Sequence, residues 1–456
     1  MKKKLIYWLG AIVGLAIIVL TLVFLFRDKG YYIVYDPDAD QNHWNTVYQM
    51  YQTSTAENDE NYSGLLSGIR TGGYRNDGNG GNNQFECTEN GVYFNWVALK
   101  AAYQDRTAHA RFLFYADHNS DTVIKLCGRP DCTHTTTDCN AVFLTGDCGI
   151  SYYGGHLYFM EFSIGPELFV LYRMDPDGSN RVKVLDGSSI NDGQYSYFMP
   201  HCVYNGVFII QMTGLDEITG EQFGDYYYYK LDGSMETPKP MTSEFTPEGC
   251  SPGVWTDGKA ILFGKYVSET DGVTKAWQLF RWDPDSNTVE ALATLENSEV
   301  DEWFTYKCYW GENNGLANHE GRIVKIRYPD CEMEVLFETG ITGDVATRFY
   351  PDCIVIHEQQ SEESDLSDKL YFFSYSGKLL GELVLDIPIN AKGILLGESR
   401  DMIYLQTNFT FMGLPNYYID KSEFGTGNVE LHPLKHPDLT EAEVEKLFNG
   451  GNPLTD

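Results

Sequence analysis

One phrase recurs along most of this chain and constrains its fold more than any other feature. A short hydrophobic strand beginning near a glycine leads to an aromatic strand, an Asp/Gly/Asn turn and a β-branched strand. The clearest copy runs Gly155–Phe159, Leu168–Tyr172, Asp175–Asn180 and Arg181–Leu185. Another runs Lys259–Phe263, Trp277–Trp282, Asp283–Asn287 and Thr288–Glu290. Seven copies fit between Cys87 and Leu434, at a mean period of about 50 residues. A single four-stranded sheet cannot bury both of its faces, whereas sheets packed radially bury one another, and closing the ring leaves only short edges. The expected fold is therefore all-β, a seven-bladed β-propeller, with six or eight blades as neighbouring solutions. Each blade's fourth strand must come from the less regular segment before its glycine. Stacked β-sandwiches also show regularly spaced short strands, but not an aromatic strand feeding an Asp/Gly turn at seven equivalent places.

The ends of the chain bound its location. Lys2, Lys3 and Lys4 precede Leu5–Phe26, an uncharged run of 22 residues. At about 1.5 Å per residue such a run can span a hydrocarbon core of roughly 30 Å. It ends in Phe24-Leu25-Phe26-Arg27 without the small residues of a cleavage site, and no cysteine follows to accept a lipid. Residues 1–26 read as a cytoplasmic tip and transmembrane anchor of a single-pass protein at the cell membrane, its C-terminal domain extracellular. Residues 27–84 read as a flexible stalk, because Gly72–Asn83 has too little apolar area to order itself. Within it, Tyr31–Tyr35 suits a lone strand or one that helps close the ring. The propeller takes 85–434, and 435–456 form a tail in which Thr440-x-x-Glu443 caps a short helix.

Charge excludes one class of partner. With 65 acidic and 33 basic residues the net charge is −32, the opposite of the basic footprint that nucleic acid demands. Acidity of this kind keeps a large exported domain soluble. The expected partners are the membrane, through the N-terminal helix, and a protein or cell-envelope ligand.

The densest chemical signal is Leu126–Ala141 followed by Cys148. It places Cys127, Cys132, His134, Cys139 and Cys148 at the spacing C-x4-C-x-H-x4-C-x8-C, between the first and second blades. Three readings stay open. Disulfides would staple a poorly packed loop outside the cell, and four cysteines allow three pairings. Cys127, Cys132, His134 and Cys139 would complete a tetrahedral zinc site, since thiolate and imidazole are that metal's preferred ligands. Free thiols are the third. Disulfides are the first expectation; zinc is the metal that the set would take. Cys87, Cys202, Cys250, Cys308, Cys331 and Cys353 read instead as small core residues. Asp36–Asp40, Asp175–Asn180 and Asp283–Asn287 offer alternating carboxylates, as calcium loops do, but lack the distal Glu and are explained by hairpin turns. Calcium is therefore not expected, and no other cofactor is.

The stretch Leu126–Ala141 resembles a signature of uncharacterised membrane- or lipid-anchored exported proteins of Gram-positive bacteria, roughly L-C-x-x-P-x-C-x-H-x4-C-x-A. Cys127, Pro130, Cys132, His134, Cys139 and Ala141 match it throughout. The repeats are also loosely similar to TolB-like propellers. Those families carry no established activity, so the resemblance implies compartment and fold but no substrate. No G-x-S-x-G elbow, H-E-x-x-H helix, phosphate loop or G-x-G-x-x-G fingerprint stands in the chain. The expected role is an extracytoplasmic binding or scaffold propeller without catalytic residues. The alternatives are an envelope hydrolase acting on glycan or peptide through channel residues, and metal or redox sensing through the cysteine loop.

Overall fold

The computed structural model describes residues 32–35, 85–88, 90–103, 106–132, 139–144, 150–162, 169–190, 195–204, 206–215 and 222–243. It further describes 250–256, 261–268, 274–296, 308–311, 313–342, 345–350, 352–358, 368–385, 394–406 and 417–435. The expected transmembrane run, most of the stalk and the C-terminal helix lie outside these residues. Among them no helix is long and apolar enough to cross a membrane.

The strands form seven antiparallel sheets, each of four strands consecutive in the chain, the first with two additions. Blade one is built from Phe85–Thr88, Gly91–Tyr103, Arg106–Asp117 and Val123–Lys125. Blade two is Ile150–Tyr153, His156–Phe162, Phe169–Met174 and Val182–Asp186. Blade three is Tyr195–Tyr204, Val207–Leu215, Gln222–Lys230 and Lys239–Pro240, and blade four Cys250–Thr256, Ile261–Ser268, Thr274–Asp283 and Thr288–Glu296. Blade five is Cys308–Trp310, Asn314–His319, Arg322–Arg327 and Glu332–Glu338. Blades six and seven are Val345–Phe349, Ile354–Glu358, Lys369–Phe373, Leu379–Val384, and Ile394–Glu398, Met402–Gln406, Tyr417–Asp420, His432–Pro433. In every blade but the fifth the first strand is the expected extra one before the glycine-led strand. First strands touch one another between blades one and two, two and three, four and five, and seven and one, which places them innermost.

The expected propeller is thus present with seven blades, and its core lies between blades. Met402 and Tyr404 of blade seven pack with Phe94, Phe112 and Leu113 of blade one and Phe159 of blade two. Blades two, three and four share a second cluster around Phe208, Ile210 and Trp282. Trp277 and Trp310 join blades four and five, their rings 4.8 Å apart. Further clusters join blades five and six, and six and seven. Each interface buries aromatic and branched side chains worth about 1.5–3 kcal/mol apiece, which is why the aromatic strand recurs.

Among the described residues no strand is shared between the first and last blades. Their seam is closed by Phe85–Thr88 against Ile394–Glu398 and by a parallel bridge of Thr122 with Lys435. The bridge is made by Val123 N–H donating to Lys435 O at 2.7 Å and Lys435 N–H donating to Asp121 O at 2.6 Å. His118 and Asp401 add a contact of 2.7 Å across the same seam. Tyr32–Tyr35, within the segment read as stalk, pairs antiparallel with Leu99–Ala102 of blade one. It extends that blade and does not close the ring on blade seven.

The fifth repeat reads in the sequence as Tyr306–Trp310, Arg322–Tyr328 and Glu334–Phe337; the structure inserts Asn314–His319 between the first two and makes Cys308–Trp310 the extra inner strand. The inserted strand is nearly all buried. A Cβ on Gly315 would stand 2.9 Å from the Trp310 ring, so a glycine is needed for that indole to pack.

Candidate functional site

The cysteine loop does not lie between two blades: it interrupts the outer strand of blade one. Val123–Lys125 pairs with Phe114–Ala116, and Val142–Leu144 pairs with Ala110–Phe112 on the same edge. Leu126 N–H donates to Leu113 O at 2.9 Å, and Leu113 N–H donates to Ala141 O at 2.8 Å. Leu126 and Ala141 therefore share the pairing that one residue makes in an unbroken antiparallel ladder. Residues 127–140 leave and return at that point. The sequence hid this because Val142–Leu144 is only three residues long and reads as part of the loop.

The excursion is held against blade two. The Asn140 side-chain amide donates to Cys127 O at 3.0 Å and to Gly178 O at 2.9 Å. A Cβ on Gly128 would lie 2.4 Å from Ser179 N, and one on Gly178 would lie 2.5 Å from Leu126 O. Both glycines have positive φ, 64° and 84°. Only glycine satisfies that approach and that backbone region together. Arg181 finishes the contact. Its guanidinium donates to Val142 O at 2.6 Å, pairs with Glu161 at 3.1 Å and lies over the rings of Phe143, Phe159 and Tyr172.

Inside the loop, Cys127, Cys132 and Cys139 bring their sulfurs within 4.8 Å of one another. Cys127 and Cys139 are 3 % and 1 % exposed, and Cys132 is partly exposed. His134 and Cys148, the other members of the motif, lie outside the described residues. Disulfides were the first expectation here, and none is present among the described side chains: the seven cysteines whose side chains are described are free thiols. The Cys127 and Cys139 sulfurs stand 3.5 Å apart, against about 2.05 Å for a bonded pair. Cys139 donates to Cys127. Burial opposes ionisation of Cys127, but hydrogen bonds from Cys139, the Asn140 backbone and Cys132 outweigh it and hold the thiol below its ordinary pKa. Burial pushes the Cys139 thiol well up.

Three convergent sulfurs suit a tetrahedral ion. At a Zn–S distance of about 2.3 Å the sulfurs of such a centre are about 3.8 Å apart, a modest contraction of the cluster. A disulfide would engage only two of them. An ion held here would therefore draw on Cys127, Cys132 and Cys139.

A second buried ionisable group lies between blades six and seven. Asp352, Cys353 and Glu398 also bring ligand atoms within 4.8 Å. Here the protein supplies its own cation, because Lys421 Nζ donates to Asp352 at 3.0 Å and to Glu398. Lys421 and Glu398 are almost wholly buried. Burial pushes Glu398 up to about 8, with the Asp352 charge acting the same way and Lys421 against it. Burial opposes the Lys421 charge, yet the two carboxylates hold its pKa above the ordinary lysine value. Nothing in the sequence joins these residues, which come from three separate turns and strand ends.

The remaining sequence candidates have structural work. Cys87, Cys308, Cys331 and Cys353 are buried in the cores between blades, while Cys202 and Cys250 lie on inner strands. The Asp175 carboxylate accepts from Asn180, Ser179 and His156 within its own blade, and Asp283 accepts from Asp285 N and Ser286 Oγ. These carboxylates form turns. Asp36–Asp40 lies outside the described residues.

No family model and no curated protein matches the chain. Among solved structures, an acylaminoacyl peptidase in complex with Z-Gly-Gly-Phe-chloromethyl ketone is similar at 11% identity and TM-score 0.42, over 76% of this chain and 51% of that one. The Pyrococcus horikoshii acylaminoacyl peptidase gives 11% and 0.41, over 77% and 51%. The β-propeller domain of the Trilobed protease from Pyrococcus furiosus gives 11% and 0.35, over 62% of this chain and 94% of that one. The chain spans about half the length of the two acylaminoacyl peptidases. Likeness at this level is silent on activity.

Proposed function

We propose that this chain is a membrane-anchored, extracytoplasmic binding propeller whose blade-one loop is a zinc–thiolate centre. The observation that carries the metal reading is the convergence of three sulfurs, from Cys127, Cys132 and Cys139, within 4.8 Å in a loop locked to the next blade. His134, two residues after Cys132, is the fourth ligand that the motif offers. A centre closed by four protein ligands is structural: it would fix the loop and leave the faces of the propeller to hold an envelope polymer, a peptide or a protein. The uncharged run Leu5–Phe26 supports the anchor, and the acidic surface suits export.

The test is the metal content of the full-length chain purified in detergent without chelator. One zinc per chain is expected, falling at least tenfold in the Cys139→Ser variant. A wild-type protein with no bound zinc, also after incubation with zinc salt under reducing conditions, would overturn the metal reading. The binding role is read separately by passing solubilised envelope polymers and peptides over the immobilised full-length chain. Saturable capture that survives loss of zinc is expected, and turnover of the captured material would replace binding by hydrolysis.

A further inference from the structure

We infer that this centre is opened by peroxide-class oxidants, with Cys132 as the thiolate that is attacked first; the inference rests on the zinc reading. The argument is one of access and distance. Cys127 and Cys139 are closed off by the blade-one core, whereas Cys132 sits at the turn where its N–H meets Arg129 O at 3.1 Å and is partly exposed. A small oxidant reaches that sulfur before the other two. Both buried sulfurs then stand within 4.8 Å of it, near enough to condense after a small movement of the loop.

The chemistry balances with one hydrogen peroxide. The Cys132 thiolate attacks one peroxide oxygen, the O–O bond breaks, and the departing hydroxide takes a proton to become water. This leaves a sulfenic acid at Cys132. A buried thiolate then attacks the Cys132 sulfur, forming S–S and breaking S–O, and the second hydroxide leaves as water with another proton. Two thiolates have lost two electrons in all, and one peroxide has become two waters. Of the three thiolates the ion keeps one, too few to hold it tightly. A buried disulfide alone would resist such chemistry, while a partly exposed thiolate beside resolving thiols favours it.

The experiment uses the zinc-loaded full-length chain in detergent, treated with hydrogen peroxide. Released zinc is followed with a chromogenic chelator, thiols are counted by titration, and disulfides are mapped by peptide mass spectrometry. The expected result is one zinc released for two thiols lost, with a disulfide that includes Cys132. In the Cys132→Ser variant the remaining cluster thiols should be lost at least tenfold more slowly, a readout that does not require zinc to be bound. Zinc retained through peroxide treatment, or a Cys127–Cys139 disulfide formed while Cys132 stays reduced, would overturn the inference and leave the zinc reading standing. Absence of zinc before any peroxide is added would overturn both.

Discussion

Two buried clusters in this propeller gather ionisable groups to similar closeness and resolve their charge in opposite ways. Between blades six and seven, Asp352 and Glu398 meet Lys421, so the anions bring their cation with them. In the blade-one loop, Cys127, Cys132 and Cys139 bring three sulfurs together, and Cys139 donates to Cys127. The first cluster is complete as folded. On the zinc reading, the second becomes complete when its thiols give up protons to an ion. The difference teaches that proximity of ligand atoms is a weak guide to metal, and that the local charge account decides.

The comparison breaks most sharply at the self-neutralised cluster. At pH 9, where Glu398 is ionised, Lys421→Met strands it and the half-exposed Asp352 without their cation, and should cost about 3 kcal/mol, since removing one partner of a buried pair leaves the other uncompensated. Urea unfolding of the purified chain measures it; a loss under about 1 kcal/mol would mean that water already solvates the pair. At the other cluster, chelating the metal should remove about 2.7 kcal/mol when zinc had been present at a hundredfold excess over its Kd. The same chelator should leave the unfolding midpoint of Cys139→Ser unmoved, and an equal shift in both proteins would place the metal elsewhere.

Smaller effects sharpen how each cluster is held. Asn140→Ala removes the amide that ties Cys127 O to Gly178 O, and about 1 kcal/mol should be lost. Its zinc affinity should fall as well, so unchanged affinity with lowered stability would confine Asn140 to the seam. A further effect is one of pH. Glu398 holds its proton up to about 8 in the folded state, above the ordinary carboxyl value. Between those two values the folded chain binds the proton and the unfolded chain does not. Its contribution is therefore full at acid pH and is lost as pH rises towards 8, with a slope below the one-proton limit of about 1.4 kcal/mol per pH unit. Glu398→Gln should flatten that slope; a wild-type stability that rises through the same range would show Lys421 to dominate.

How much of this was legible in the sequence follows from how local each feature is. Gly155–Phe159 and five of its six counterparts are visible because strand alternation and Asp/Gly turns are short-range signals. Asn314–His319 was not, since its role depends on the Trp310 ring across the hairpin. The motif Cys127–Cys139 announced a cluster but not its place in the fold, which is set by Leu113 pairing with Leu126 and Ala141. Arg181, Asn140 and Lys421 carried no signal, because each acts on partners brought near by blade packing.

The pairing at Leu113 has a wider consequence. Leu126 offers that residue an N–H and Ala141 a carbonyl, so together they stand where a single amino acid would otherwise sit. Any segment spliced there leaves the register on both sides untouched. The perimeter of a blade is in this sense a socket: a chain can acquire a new chemical centre at its rim without renegotiating the ring, and can lose it again by a clean deletion of residues 127–141.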